Sequence, residues 1–145
     1  MKDSEPACIQ IDANVILRYV AKDDPVHFEK ARSLFRAMGR EECVVECDPV
    51  TLAEVVWVLK SFYKISNADI EEGLLPIVQS SGFRMSNKDR YLIALNLFAT
   101  SLRSYGDACC CAAALESCDG RLFSFDRALS GVPGVARLEG LPEEP

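Results

Sequence analysis

Short apolar runs alternate along the chain with longer stretches in which apolar positions recur every three or four residues. Cys8-Ile9-Gln10-Ile11, residues 43–47, 83–85, 121–125 and the region near 135–138 have the length of strands. Residues 13–21, 25–39, 51–63, 67–80, 87–103 and 106–117 carry helical spacing, and 127–130 reads as one more short helix. Such an alternation, without long linkers or repeats, predicts an α/β fold of three α/β/α layers around a parallel sheet. A chain of 145 residues supports a single domain with one core.

Punctuation between these runs supports the same reading. Asp24-Pro25 has the form of an N-cap followed by proline at the first helical position. Thr51-Leu52-Ala53-Glu54, Ser66-Asn67-Ala68-Asp69 and Ser86-Asn87-Lys88-Asp89 have the form of capping boxes. Trp57 and Phe62, large and apolar, are expected in the core.

Four acidic residues stand at the joints of this pattern. Asp12 and Asp126 each follow a strand, whereas Glu54 and Asp107 are expected to open helices. In an open parallel sheet, strand ends and the starts of the following helices share the edge where such folds bind ligands. Any one of the four serves as a helix cap. Gathered at one cleft they repel one another, by about 4 kcal/mol for two charges 4 Å apart at an effective dielectric near 20. A hard divalent cation, Mg²⁺ or Mn²⁺, relieves that repulsion and prefers carboxylate and water oxygens.

Composition narrows the chemistry. The single histidine, His27, reads as a surface helix residue, and one imidazole cannot supply a multi-histidine zinc site. The seven cysteines are odd in number and include Cys109-Cys110-Cys111, expected as small buried hydrophobes. Cys43 and Cys47 lack the second pair that a zinc site needs. Free thiols, no apolar run long enough to span a membrane and no signal-like start at Met1-Lys2-Asp3-Ser4-Glu5 predict a cytoplasmic protein. The net charge of −6 and a pI near 4.8 argue against a broad basic groove for nucleic acid. Arg32, Arg36 and Arg40 nevertheless lie four apart, and Arg18 and Arg127 lie close to two of the acids in sequence. Phosphate-binding glycine loops and a nucleophile motif to accompany the histidine are both missing.

Taken together, Ile11-Asp12-Ala13-Asn14-Val15-Ile16-Leu17-Arg18, Thr51-Leu52-Ala53-Glu54-Val55-Val56-Trp57-Val58-Leu59, Gly106-Asp107-Ala108 and Phe123-Ser124-Phe125-Asp126 resemble the four motifs of PIN-domain ribonucleases, in the family's order. The likeness is closest to VapC toxins and covers a core of about 8–138 in one domain, 1–145. It implies a twisted parallel sheet with helices on both faces. It also implies Mg²⁺- or Mn²⁺-dependent endonucleolytic cleavage of RNA, by the toxin of a type II toxin–antitoxin module. A VapB-like antitoxin and a homodimer are the partners implied. Asp12, Glu54, Asp107 and Asp126 would be the catalytic and metal-holding acids, with Asn14, Arg18, Ser124 and Arg127 as supporting candidates; Asn14 reads equally as a helix cap. Two positions depart from the pattern: Ala13 replaces a usual Thr or Ser, and Ser104 stands where an additional Asp is frequent.

Other readings remain. A PIN-like scaffold would bind RNA or protein without cutting. A receiver-like signalling domain would be phosphorylated at Asp48, which follows the strand at 43–47, but it lacks the paired acids after the first strand and a lysine after the last. A haloacid-dehalogenase-like phosphatase needs aspartate where Asn14 stands.

Overall fold

The alternation of strands and helices is realised in a computed structural model that describes residues 5–141. The chain forms two compact units, the first ending at Lys88 and the second beginning at Asp89.

In the first unit the order is β1 (Ala7–Gln10), α1 (Ala13–Ala21), α2 (Pro25–Gly39), β2 (Cys43–Glu46), α3 (Pro49–Ser61), α4 (Asn67–Gln79) and β3 (Phe83–Arg84). The three strands are parallel in the order β1-β2-β3, with Cys8 opposite Val44 and Val45 opposite Phe83. Val45 and Phe83 are fully buried, while β1, at the edge of the ladder, is exposed along its length. The core is apolar: Ile16, Leu52, Val55, Leu59, Ile70, Leu74 and Val78 have essentially no accessible surface. Each such side chain contributes roughly 1.5–3 kcal/mol relative to an exposed one.

Helix starts follow from capping chemistry. Asp12, Asp24, Asp48 and Ser66 cap α1 to α4, each side chain accepting a backbone N–H from the first turn. Asp24-Pro25 and Ser66 behave as their sequence predicts. The box at Thr51 does not: Asp48 caps α3 and Pro49 takes the first helical position, so Thr51 lies inside the helix. The N-cap and proline pair of Asp24-Pro25 recurs at Asp48-Pro49 and moves the start two residues earlier. Asn87 adopts a left-handed conformation just before α5.

Trp57 and Phe62 correct a second expectation, being 69% and 73% exposed. The buried stripe of α3 is Leu52, Val55, Val56 and Leu59. Trp57 falls on the opposite side, in line with Val50 and Glu54 at helical spacing.

The second unit contains α5 (Lys88–Thr100) from its second residue onward, α6 (Tyr105–Ser117), β4 (Arg121–Phe123), a 3₁₀ helix (Arg127–Gly131) and β5 (Ala136–Leu138). Its two strands are parallel, with Leu122 opposite Arg137. Leu95, Phe98, Ala108, Cys111 and Ala112 form its interior. Of the three consecutive cysteines only Cys111 is buried, because successive helical residues face different directions; Cys110 is exposed. Between α6 and β4 the chain reverses at Gly120, which has φ +79°. Its N–H donates to Ala114 O and its carbonyl accepts from Ala136 N–H, both at 2.8 Å. A Cβ there would stand 2.0 Å from the Gly134 oxygen, so only glycine fits this crossing.

Candidate functional site

In the first unit Asp12 and Asp48 follow parallel strands at the carboxyl edge of the three-stranded ladder. Ile11 N–H donates to Glu46 O at 3.1 Å, carrying the parallel register one residue past β1, and Asp12 follows. Its Oδ1 accepts Val15 N–H at 3.4 Å. Asp48 does the same after β2, accepting Val50 N–H at 2.8 Å. Asp48 is thus the cap of α3. Burial first, and then the adjacent Asp48 charge, push the neighbouring Cys47 thiol up to about 11.

Glu54 does not open its helix. It is the sixth residue of α3, exposed, and α3 packs against α1. Capping therefore does not explain Glu54, which lies on the exposed face of α3. Asn14 is not a cap either, since Asp12 fills that role; it is the second residue of α1 and exposed. Arg18 pairs with Asp23 at 3.2 Å. On α2, Arg32 pairs with Glu29, and Arg40 lies beyond the helix as its C-cap.

In the second unit Asp107 sits in the first turn of α6, its N–H donating to Ser104 Oγ at 3.3 Å. Ser104, the residue that departs from the expected acidic pattern, is thus the helix cap. Asp126 follows β4 and caps the 3₁₀ helix, its Oδ1 accepting Ala128 N–H at 2.9 Å. Ser124 Oγ accepts Asp126 N–H at 3.1 Å, while the Ser124 carbonyl accepts from Arg137 Nη1 at 2.8 Å. Arg127 is exposed. From Asp107 to the end of α6 the helix rises roughly 15 Å, and from Arg121 to Asp126 the chain travels about as far in extended form. Because α6 packs on β4, the reversal at Gly120 returns the chain toward the level of Asp107.

Two of the acids, Asp12 and Glu54, lie in the first unit, and two, Asp107 and Asp126, in the second. Among the described residues no three His, Cys, Asp or Glu side chains already stand together as a metal cage. The donor set nonetheless fits a hard cation: all four are carboxylates, none is buried, and Asp12 and Asp126 each commit one oxygen, Oδ1, to a cap bond.

A family profile described as PIN domain matches residues 9–135. The chain belongs to the PIN-domain family. Neither the curated proteins nor the solved structures yield a match. PIN domains are in general metal-dependent nucleases acting on RNA, so this one has a nuclease-type fold of the hydrolase kind. The helices and parallel strands of this PIN domain agree with the three-layer α/β/α class expected from its sequence. No helix among the described residues is long and apolar enough to cross a membrane.

Proposed function

We propose that this PIN domain, acting as one domain over 1–145 with a core of about 8–138, is a metal-dependent endoribonuclease. Its likeness to VapC toxins makes it the toxin of a type II toxin–antitoxin pair, cytoplasmic, homodimeric and restrained by a VapB-like antitoxin. The observation that supports this best is the setting of the four acids inside the matched span. Two follow parallel strands as caps, one lies in a capped first turn, and one is exposed on a helix with no capping role.

The residues proposed to hold Mg²⁺ or Mn²⁺ are Asp12, Glu54, Asp107 and Asp126. Such an ion, when bound, supplies Lewis-acid polarisation of the scissile phosphate and lowers the pKa of the attacking water. What the chain itself contributes is preorganisation. Cap bonds hold the Asp12 and Asp126 carboxylates in place, Ser104 fixes the backbone of Asp107, and Ser124 fixes that of Asp126. Ser124 is accordingly a positioning residue, acting through Asp126. Ala13, where the family's usual hydroxyl is missing, is buried in the first turn of α1 beside Asp12.

The test is digestion of total cellular RNA by purified protein with Mg²⁺ or Mn²⁺, against EDTA and against Asp107→Asn. Discrete fragments that require both the metal and Asp107 are expected. Cleavage indifferent to either, or none at all, overturns the enzyme in favour of a non-catalytic PIN scaffold.

A further inference from the structure

Between α1 and α2 lies a cavity of about 360 Å³ that none of the four acids enters. Asn14, Val15 and Arg18 line it from α1, and His27, Lys30 and Leu34 from α2. These positions lie on one face of each helix, at spacings of three or four residues along most of their length. The hairpin that makes the cavity is braced beside it, where Tyr19 stacks on Phe28 and meets Phe35 edge-on, with ring centroids 5.8 and 4.9 Å apart.

Its chemistry is mixed in a particular way. Val15 and Leu34 give apolar surface, Asn14 supplies an amide that both donates and accepts, and Arg18, His27 and Lys30 give cationic or protonatable nitrogen. Asp23 holds the Arg18 guanidinium at 3.2 Å, and Asp24 holds the His27 ring at 2.6 Å.

Charge is also concentrated here. From the N-cap Asp12 to the C-cap Arg40 the hairpin contains six Lys or Arg and four Asp or Glu, a net of +2, within a chain whose total is −6, and Glu41-Glu42 follow at once. The net acidity that argued against a nucleic-acid surface therefore lies outside the hairpin itself.

We infer that the α1–α2 cavity is a nucleotide subsite for single-stranded RNA, with a base against Val15 and Leu34 and a phosphate near Arg18, His27 and Lys30. Its volume is in the range of small-ligand sites, and cations tracking the backbone beside a surface that receives a base are how single strands are held without base pairing, the surface here being aliphatic rather than an aromatic stacking platform. Asn14, which lines the cavity, is two residues beyond Asp12 at the start of α1, so that end of the cavity lies beside the acid. Identification of the ligand as RNA rests on the ribonuclease reading; the cavity and its charge do not.

The experiment is fluorescence anisotropy of a labelled short single-stranded RNA with the full chain in EDTA, where no cutting occurs. Wild type is compared with Lys30→Glu and with Arg36→Glu. Both positions are exposed on α2 and both changes alter the charge equally, but only Lys30 lines the cavity. Lys30→Glu is expected to weaken binding about tenfold and to lower the salt dependence by about 0.7 in log–log slope, the value for one phosphate contact on a single strand. Arg36→Glu is expected to change neither comparably. Equal losses in the two variants, no loss in Lys30→Glu, no RNA binding by wild type, or displacement of the RNA by an acidic peptide at lower concentration would each overturn the subsite. Cleavage measured in parallel with Mg²⁺ separates the two readings. Cutting that depends on Asp107, with Lys30→Glu binding as wild type does, sinks the subsite alone. Lys30-dependent binding without any cutting sinks the nuclease alone.

Discussion

Tyr63 donates its phenolic hydrogen to Asp23 Oδ2 at 2.7 Å, joining the turn after α3 to the turn between α1 and α2 across 40 residues of sequence. The same carboxylate receives the Arg18 guanidinium through its other oxygen. Tyr63 holds Asp23 below its ordinary 3.8, with Arg18 adding to the effect, and the bond raises the Tyr63 phenol above 10.0. An acid whose folded pKa is depressed stabilises the fold above its unfolded value, and that stability is lost as pH falls through the folded value. A group whose pKa is raised contributes below its unfolded value and loses that contribution as pH rises. The contact is therefore at full strength between roughly pH 4 and 10. Tyr63→Phe should lower the thermal midpoint throughout that window and leave it nearly unchanged well below pH 3. Melting curves across pH check this; a constant deficit would mean that packing, not the hydrogen bond, carries the effect.

Asp12 combines a cap with a proposed catalytic charge, and two substitutions separate the roles. Asparagine caps a helix about as well as aspartate, whereas alanine costs about 0.5–2 kcal/mol, here toward the lower end because the bond is long at 3.4 Å. Asp12→Asn should abolish RNA cleavage and leave the fold as stable, or more so without metal, because one repulsive charge is removed. Asp12→Ala should lose both activity and stability. Unfolding curves beside the cleavage assay decide it, and an unfolded Asp12→Asn would make the residue chiefly structural.

At Gly120 the constraint is steric. Alanine there must push the Gly134 carbonyl away in a backbone conformation that L side chains rarely adopt. Overpacking of this kind costs about 1–3 kcal/mol, to which the strained φ adds. Because the Ala136 N–H bond to Gly120 begins the pairing of β4 with β5, Gly120→Ala should also impair cleavage by displacing Asp126. Gly131→Ala, with open space around its Cβ position, is the matched control, expected to be nearly neutral in urea denaturation.

Trp57 is the only tryptophan, and its exposure has an optical consequence. Its emission in the native protein should already resemble that of a solvated indole and be strongly quenched by iodide. Trp57→Ala should change stability by no more than about 0.5 kcal/mol. A blue-shifted, quencher-resistant emission would show that the residue is covered in solution by a partner or a second copy.

The sequence by itself determined whatever depends on neighbours along the chain. Asp12 and Asp126 were legible as acids following strands, and Asp24-Pro25 and Ser66 as helix starts, because a cap is a contact between residues two or three apart. The order of the four motifs identified the family, later matched over residues 9–135. Tertiary structure decided what local signals left in competition. The sequence offered Thr51 as the cap of this helix, but Asp48 with Pro49 takes that role in the fold, which moves Glu54 from the helix start to an exposed face. Size alone assigned Trp57 and Phe62 to the core, but α3 buries the stripe that meets its neighbours, and the indole is on the other side. His27 read as an ordinary surface residue, and only the packing of α2 against α1 made it, with Lys30, part of the lining of a cavity. Caps and strand ends follow from short-range hydrogen bonding, whereas exposed faces and cavities exist only once two elements distant in sequence are pressed together.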